Sequence, residues 1–231
     1  MTDKSKAIPN KEEKFVPALR YRWATGLYDW LMETFVKEKE LRRKTIAALH
    51  VSPRETVVDF GCGTGSLLRA IRRHTKNGTL VGFDLDKTVL DLAKQKFSDL
   101  PPGQTPSFFQ VNLSTESIAE IDELPKANCL VSSLVFHHLT TRQKRQAFNN
   151  ANLVLKPGGR FILVDWGPGA TFLTKLGFLS VRLFDGIAVT RANAMGALPN
   201  LMADAGFEVT ATRPLLNTVF GTIWLHEGLK T

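Results

Sequence analysis

The stretch Val57-Val58-Asp59-Phe60-Gly61-Cys62-Gly63-Thr64-Gly65 constrains the fold more than any other part of this chain. A short apolar, β-branched run suited to a buried strand gives way at once to three glycines spaced two apart. Ser66 to His74 then has helical character. Strand, glycine turn and helix in that order open a doubly wound α/β sheet. Glycines at such a turn let the backbone bend sharply and let a ligand approach with no β-carbon in the way. In these sheets ligands bind at the carboxyl ends of the strands, near the point where strand order reverses.

The alternation continues along the chain. Thr79 to Phe83 reads as a second strand, Lys87 to about Phe97 as a helix, and Ser107 to Val111 as a third strand. Cys129 to Ser133 reads as a fourth, followed by a helix from Thr141 to Leu155. Lys156-Pro157-Gly158-Gly159 reads as a tight turn leading into a fifth strand, Arg160 to Val164. Ala203 to Phe207 closes a later helix. Glu208 to Thr212 and Val219 to Leu225 are two strands whose short link fits only an antiparallel pair. Leu27, Leu31, Phe35, Leu41, Ile46 and Leu49 recur at helical spacing, so residues 20–50 are expected to form an N-terminal helical cap. Residues 1–15 are expected to be a flexible tail. The remainder, 16–231, is expected to be one domain with an apolar, lid-like insertion at 170–187.

Composition narrows the class further. The chain is 43% hydrophobic and 23% charged, enough to bury a core. No apolar run reaches the roughly 18 residues needed to span a bilayer, and the first residues lack the apolar core of a signal peptide. Cys62 and Cys129 indicate no disulfide framework. A cytoplasmic setting is therefore expected. Net charge is +8, from 30 basic and 22 acidic residues, and residues 1–44 contribute +4 of it (11 basic less 7 acidic). That balance favours anionic partners, although the basic residues are scattered among acids as on an ordinary solvated surface.

The glycine loop alone does not choose a ligand, because nicotinamide-binding domains carry one too. Theirs is spaced Gly-x-Gly-x-x-Gly and receives a pyrophosphate. Here Gly61, Gly63 and Gly65 are evenly spaced, and Asp59 precedes them. A carboxylate is unhelpful beside a pyrophosphate but suits a ligand bearing a sulfonium and an ammonium group. Asp84, 19 residues after Gly65, ends the second strand. An ionised carboxylate there can accept both hydroxyls of a ribose. Asp86 precedes a helix and reads as its N-cap.

These residues carry a family resemblance. The glycine loop, Asp84, Ser132-Ser133-Leu134-Val135-Phe136-His137-His138-Leu139 and Leu155-Lys156-Pro157-Gly158-Gly159 together resemble class I S-adenosylmethionine-dependent methyltransferases, in particular the ubiquinone/menaquinone-biosynthesis methyltransferase-like branch. The resemblance spans about Tyr21 to the C-terminus. It implies a seven-stranded mixed sheet of order 3-2-1-4-5-7-6 with the last strand antiparallel, helices on both faces, and S-adenosyl-L-methionine as cofactor, with S-adenosyl-L-homocysteine as product. It implies that Gly61, Cys62, Gly63 and Gly65 hold the methionine part of the donor, that Asp84 holds the ribose, and that Leu85 packs on the adenine. After the third strand the family usually has an aspartate that accepts from the adenine amino group. Here Asn112 stands in its place, followed by Leu113, and its amide oxygen is expected to accept that bond. Ser133 matches the position touching the donor's amino-acid end. Tyr28 is expected to help close the site.

A sulfonium donor is already activated, so the protein must mainly align a nucleophile and exclude water. No metal and no covalent nucleophile are required, and both cysteines read as core residues. His138 and His137 are the candidate acid–base groups, since histidine titrates near neutral pH; a packing or capping role for the pair is the alternative. Asp165 and Trp166, at the end of the fifth strand, are expected to face the acceptor. So are Phe172 and Leu176 in the apolar segment 170–187. That segment is apolar on more than one side, more than docking on a sheet requires. It can roof an apolar pocket or touch an anionic membrane surface. The expected partner is a small, apolar or lipid-like acceptor. The stretch after the fourth strand lacks the Asp/Asn-Pro-Pro-aromatic motif of base-amino methyltransferases, which counts against nucleic acid. RNA or protein methylation using the basic surface is the alternative.

Overall fold

The first strand, β1 (Val57–Phe60), is buried at all four residues because strands flank it on both sides. A computed structural model describes residues 37–101, 103–121 and 124–231, with only the backbone described at 120, 184 and 185. The tail 1–15, Tyr28 and most of the 20–50 cap lie outside the described residues. What is described of the cap is α1 (Glu38–Leu49), whose Leu41, Thr45, Ala48 and Leu49 are buried.

After β1 the chain forms α2 (Ser66–Arg72), β2 (Leu80–Asp84), α3 (Lys87–Lys96), β3 (Ser107–Gln110), β4 (Ala127–Ser133), α4 (Thr141–Val154) and β5 (Leu155–Gly167). Three helices follow, α5 (Phe172–Asp185), α6 (Ile187–Ala194) and α7 (Leu198–Asp204), and then the hairpin β6 (Phe207–Thr218) and β7 (Gly221–Lys230). The sheet order is β3-β2-β1-β4-β5-β7-β6. β1 to β5 run parallel, and β7 is antiparallel to both β5 and β6. Strand order reverses between β1 and β4, so a crevice opens there at the carboxyl ends.

Two apolar layers sandwich the sheet. On one side Leu49, Leu68, Ile71, Cys129, Ile162 and Trp166 pack together; on the other, Phe60, Phe83, Phe136, Phe148 and Phe161 form a ring-lined cluster. Helix starts follow local chemistry. Asp86 accepts from the Thr88 N–H at 2.7 Å, and Thr140 and Gln143 form a reciprocal capping box.

The largest departures from the sequence reading are in the last three strands. β5 begins at Leu155, not Arg160: Leu155 pairs with Ala127, and Lys156 to Gly159 bulge out before Arg160 pairs with Cys129. β6 and β7 are 12 and 10 residues long, well beyond the expected pair. Pro214 sits inside β6 because β6 is the edge strand, where a missing N–H costs no ladder bond, and the register shifts at that point.

Candidate active site

The glycine loop and the end of β2 build one wall together. Gly61 and Cys62 both donate their N–H to the Phe83 carbonyl, at 2.8 and 2.9 Å. Gly63 N–H donates to Asp84 Oδ2 at 2.8 Å, and Asp86 N–H donates to Oδ1 at 3.0 Å. Gly61 has φ of +74°, and a β-carbon there would lie 2.3 Å from Val135 Cγ2. At this position both the backbone conformation and the close approach strongly favour glycine. Lys96 ties α3 to the loop, donating to Thr64 Oγ1 and Ser66 Oγ at 3.0 and 2.7 Å.

Two cavities meet at this wall. One, of about 260 Å³, is lined by Gly61, Asp84, Leu85, Asn112, Leu113, Leu134 and His138 among others. The second, of about 270 Å³, is lined by Asp59, Gly61, Cys62, Thr64, Ser133 and Leu134, with Glu38, Arg42 and Thr45 of α1 across from them. Gly61 and Leu134 belong to both, so the cavities are two lobes of one cleft. Most residues singled out for the donor thus come together: Asp84, Leu85, Asn112 and Leu113 in one lobe, Asp59, Cys62 and Ser133 in the other.

Burial changes how the groups at the cleft ionise. Asp59 is buried, and its carboxyl pKa is raised to about 8, first by desolvation and then by the neighbouring Asp84. Such a group is largely protonated at neutral pH and gives up its proton when a cation arrives beside it. Burial holds the Cys62 thiol far above its ordinary value and Cys129 at about 12. Neither forms a thiolate at neutral pH, so neither is a nucleophile.

Asn112 differs from expectation. Its Oδ1 accepts from both the Ser114 N–H at 3.2 Å and the Ser114 hydroxyl at 2.6 Å. A backbone N–H can only donate, which fixes the oxygen on that side and commits both of its lone pairs. What Asn112 has left to offer is the Nδ2 donor pair.

The histidines are unlike each other. His137 is buried, and its Nδ1–H donates to Asp165 Oδ1 at 2.8 Å while its backbone N–H donates to Oδ2 at 3.2 Å. Burial opposes ionisation of Asp165, but His137 and Lys144 outweigh it, and the carboxyl stays below its ordinary pKa. Lys144 is itself fully buried, donates to the Leu139 and Val189 carbonyls, and is lowered to about 8 by desolvation. Asn193 Nδ2 closes the network on Asp165 Oδ1 and the Trp166 carbonyl. His138 lies at the cleft with its ring 3.9 Å from that of His137. Desolvation and then His137 push its pKa down to about 3, against the opposing pull of Asp165. It is a neutral ring at neutral pH.

Four expected acceptor contacts are placed elsewhere. Asp165 and Trp166 are not an exposed strand end: Asp165 is spent on the buried network, and Trp166 is enclosed in the core against Phe178. Phe172 and Leu176 line neither lobe and face outward, because Thr174, Phe178 and Val181 take the sheet side of α5.

Other cleft residues were not anticipated. Glu38, Arg42 and Thr45 share one helix face at i, i+4 and i+7, a spacing that offered a signal. Leu134 adopts φ of +58° between the lobes, and nothing in its sequence context announces that.

The strand order and the two-lobed cleft, together with the likenesses that follow, support an S-adenosylmethionine-dependent methyltransferase, an enzyme whose cofactor is S-adenosyl-L-methionine. Residues 58–161 match the family model described as a methyltransferase domain. The chain is 25% identical over 208 residues to the ubiquinone/menaquinone biosynthesis C-methyltransferase UbiE of Pseudoalteromonas translucida, covering 82% of this chain and 79% of that one. It is 26% identical over 184 residues to an uncharacterized methyltransferase of Anoxybacillus flavithermus, covering 75% and 77%. Among solved structures, magnesium protoporphyrin IX methyltransferase from Synechocystis with bound SAM superposes with a TM-score of 0.61 at 17% identity, covering 90% of this chain and 92% of that one.

Proposed function

We propose that this enzyme transfers the donor methyl group to a small apolar or lipid-like acceptor by direct in-line displacement. The observation that carries the donor placement is the pair of carboxylates, one in each lobe of the cleft. Asp84 is held by Gly63 and Asp86 with lone pairs to spare for two ribose hydroxyls. Leu85 and Leu113 flank the adenine, and Asn112 donates from Nδ2 to a ring nitrogen instead of accepting from the amino group. In the other lobe Asp59 meets the cationic end of the donor, Ser133 and the loop backbone around Cys62 bound it, and Arg42 receives the donor carboxylate. Arg42 is paired with Glu38 of its own helix, so it exchanges one carboxylate for another.

When bound, the donor supplies an electrophilic methyl carbon on a positively charged sulfur. The sulfur joins the adenosine and methionine halves, so the methyl belongs at the junction of the lobes, beside Gly61 and Leu134. The protein's part is to hold that geometry and keep water out with Leu134, Val135 and Phe136. His138, neutral at the cleft, hydrogen-bonds the acceptor and orients it, and its lowered pKa makes it a weak base. His137, fixed by Asp165, backs the His138 ring and sets its position.

The likeness to a ubiquinone/menaquinone C-methyltransferase supports an apolar acceptor. The test is transfer of isotope-labelled methyl into a deproteinised cell extract partitioned between organic and aqueous phases. Label in the organic phase is expected. Label confined to the aqueous phase would contradict the apolar acceptor and direct the search to polar metabolites, RNA and protein.

A further inference from the structure

Helix α5 has two apolar faces. At about 100° per residue, Thr174, Phe178 and Val181 lie together and are buried against the sheet. Phe172, Leu173, Leu176, Leu179 and Leu183 lie on another arc, and all are exposed, Phe172 by 80% and Leu183 by 78%. The helix cannot roll to hide them. A β-carbon on Gly177 would stand 2.1 Å from the Val219 carbonyl oxygen, so α5 is seated directly on the backbone of the β6–β7 turn. Its start is pinned by the Ala170 N–H to Thr222 Oγ1 at 3.0 Å and by Trp224 Nε1–H to the Pro168 carbonyl at 2.8 Å.

The outward apolar surface is concentrated in one region. Of the exposed large apolar side chains among the described residues, all but Leu92 and Leu153 fall between Phe172 and Val219. Contiguous apolar surface of this kind marks a binding face. Its charge is one-sided: from Trp166 to Ala203 the cations Lys175, Arg182 and Arg191 stand against a single acid, Asp185. Lys175 and Arg182 fall on adjacent directions of the helix, along one edge of the exposed arc. Apolar side chains flanked by cations with aliphatic stems match the boundary between acyl chains and anionic headgroups. The helix leaves the carboxyl end of β5, the edge of the sheet that also holds the cleft.

We propose that the outer face of α5 docks this enzyme on the surface of an anionic phospholipid bilayer. Phe172, Leu173, Leu176 and Leu183 enter the headgroup–acyl boundary while Lys175 and Arg182 remain among the headgroups. Among the described residues no helix is long and apolar enough to cross a membrane, and the docking is peripheral. It goes beyond the apolar-acceptor reading, and its test uses no methyl acceptor, so the two succeed or fail separately.

The full chain is sedimented with phosphatidylcholine vesicles and with mixed phosphatidylcholine–phosphatidylglycerol vesicles. Binding to the mixed vesicles is expected, weakening as salt is raised. Leu176→Glu and Leu183→Glu should each lower the partition coefficient by about tenfold or more. Leu92→Glu, an exposed leucine on α3, should leave it unchanged. Unaltered melting temperatures and donor binding show that the variants fold. Failure of the wild type to bind the mixed vesicles at low salt would overturn the proposal. So would equal binding to phosphatidylcholine alone, or equal losses in all three variants. A wild-type dimer that Leu176→Glu converts to monomer, with no vesicle binding, would assign the face to a second copy and overturn it as well.

Discussion

Gly63 donates its backbone N–H to Asp84 Oδ2 across 2.8 Å, so the acid that ends the second strand also shapes the loop after the first. The two lobes of the cleft are therefore mechanically one unit. A change at Asp84 should therefore alter the loop wall proposed to meet the methionine half of the donor as well as the proposed ribose contact.

Gly61→Ala tests the tightness of that wall. A new β-carbon would lie 2.3 Å from Val135 Cγ2 on a backbone with φ of +74°. Displacing Val135 and straining the backbone should cost about 1–3 kcal/mol of stability. Donor binding should fall with it. Thermal melting and donor titration of the variant check both.

Burial of Asp59 gives a pH signature. Its folded pKa of about 8 lies above the ordinary 3.8, so its contribution to stability is full below about 3.8 and is lost as pH rises toward 8. His226 acts oppositely: burial lowers it from 6.5 to about 4, so its contribution is present above 6.5 and lost as pH falls toward 4. Between 4 and 6.5 His138, also lowered by burial, acts with His226, and together they outweigh Asp59; between 6.5 and 8 Asp59 acts alone, and melting temperature should decline. Asp59→Asn should flatten that decline. Since a cation favours the ionised carboxylate, wild-type affinity for the donor should rise with pH up to about 8, with proton release on binding.

Arg42→Ala separates binding from chemistry. Loss of a charge-assisted contact to the donor carboxylate should raise the donor KM by about tenfold. The kcat should stay near its wild-type value, because the contact is the same in the ground and transition states. Initial rates at varied donor concentration decide it.

The Asp165 network is structural, and its removal should act on stability. Asp165→Ala leaves Lys144 buried without its counter-charge and His137 without its acceptor, at a cost of roughly 3–5 kcal/mol. Asp165→Asn, which can still accept from His137 and the Trp166 N–H, should lose less. Chemical denaturation of the two variants ranks them.

That the residues proposed for the donor would gather at one cleft was legible because the signal is local. A strand, evenly spaced glycines and an acid at the next strand end sit close together in sequence, and backbone geometry dictates where each points. The sheet order was legible only through family resemblance, since nothing local sets which strand lies beside which. The acceptor half was not legible. Whether Phe172 faces the cleft or solvent depends on which side of α5 the β6–β7 turn occupies, a contact made by residues more than forty positions away. Trp166 disappears into the core for the same reason. Asn112 shows a subtler limit: the residue type offered an acceptor, but the neighbouring Ser114 had already taken it.

The most direct test of the donor site is calorimetric titration of S-adenosyl-L-homocysteine into the wild type and Asp84→Ala, with melting temperatures confirming that both are folded. The account predicts one site per chain in the wild type and affinity at least about tenfold weaker in the variant, as expected for loss of a charge-assisted pair of ribose contacts. No binding by the wild type, or equal affinity in a folded Asp84→Ala, would contradict it.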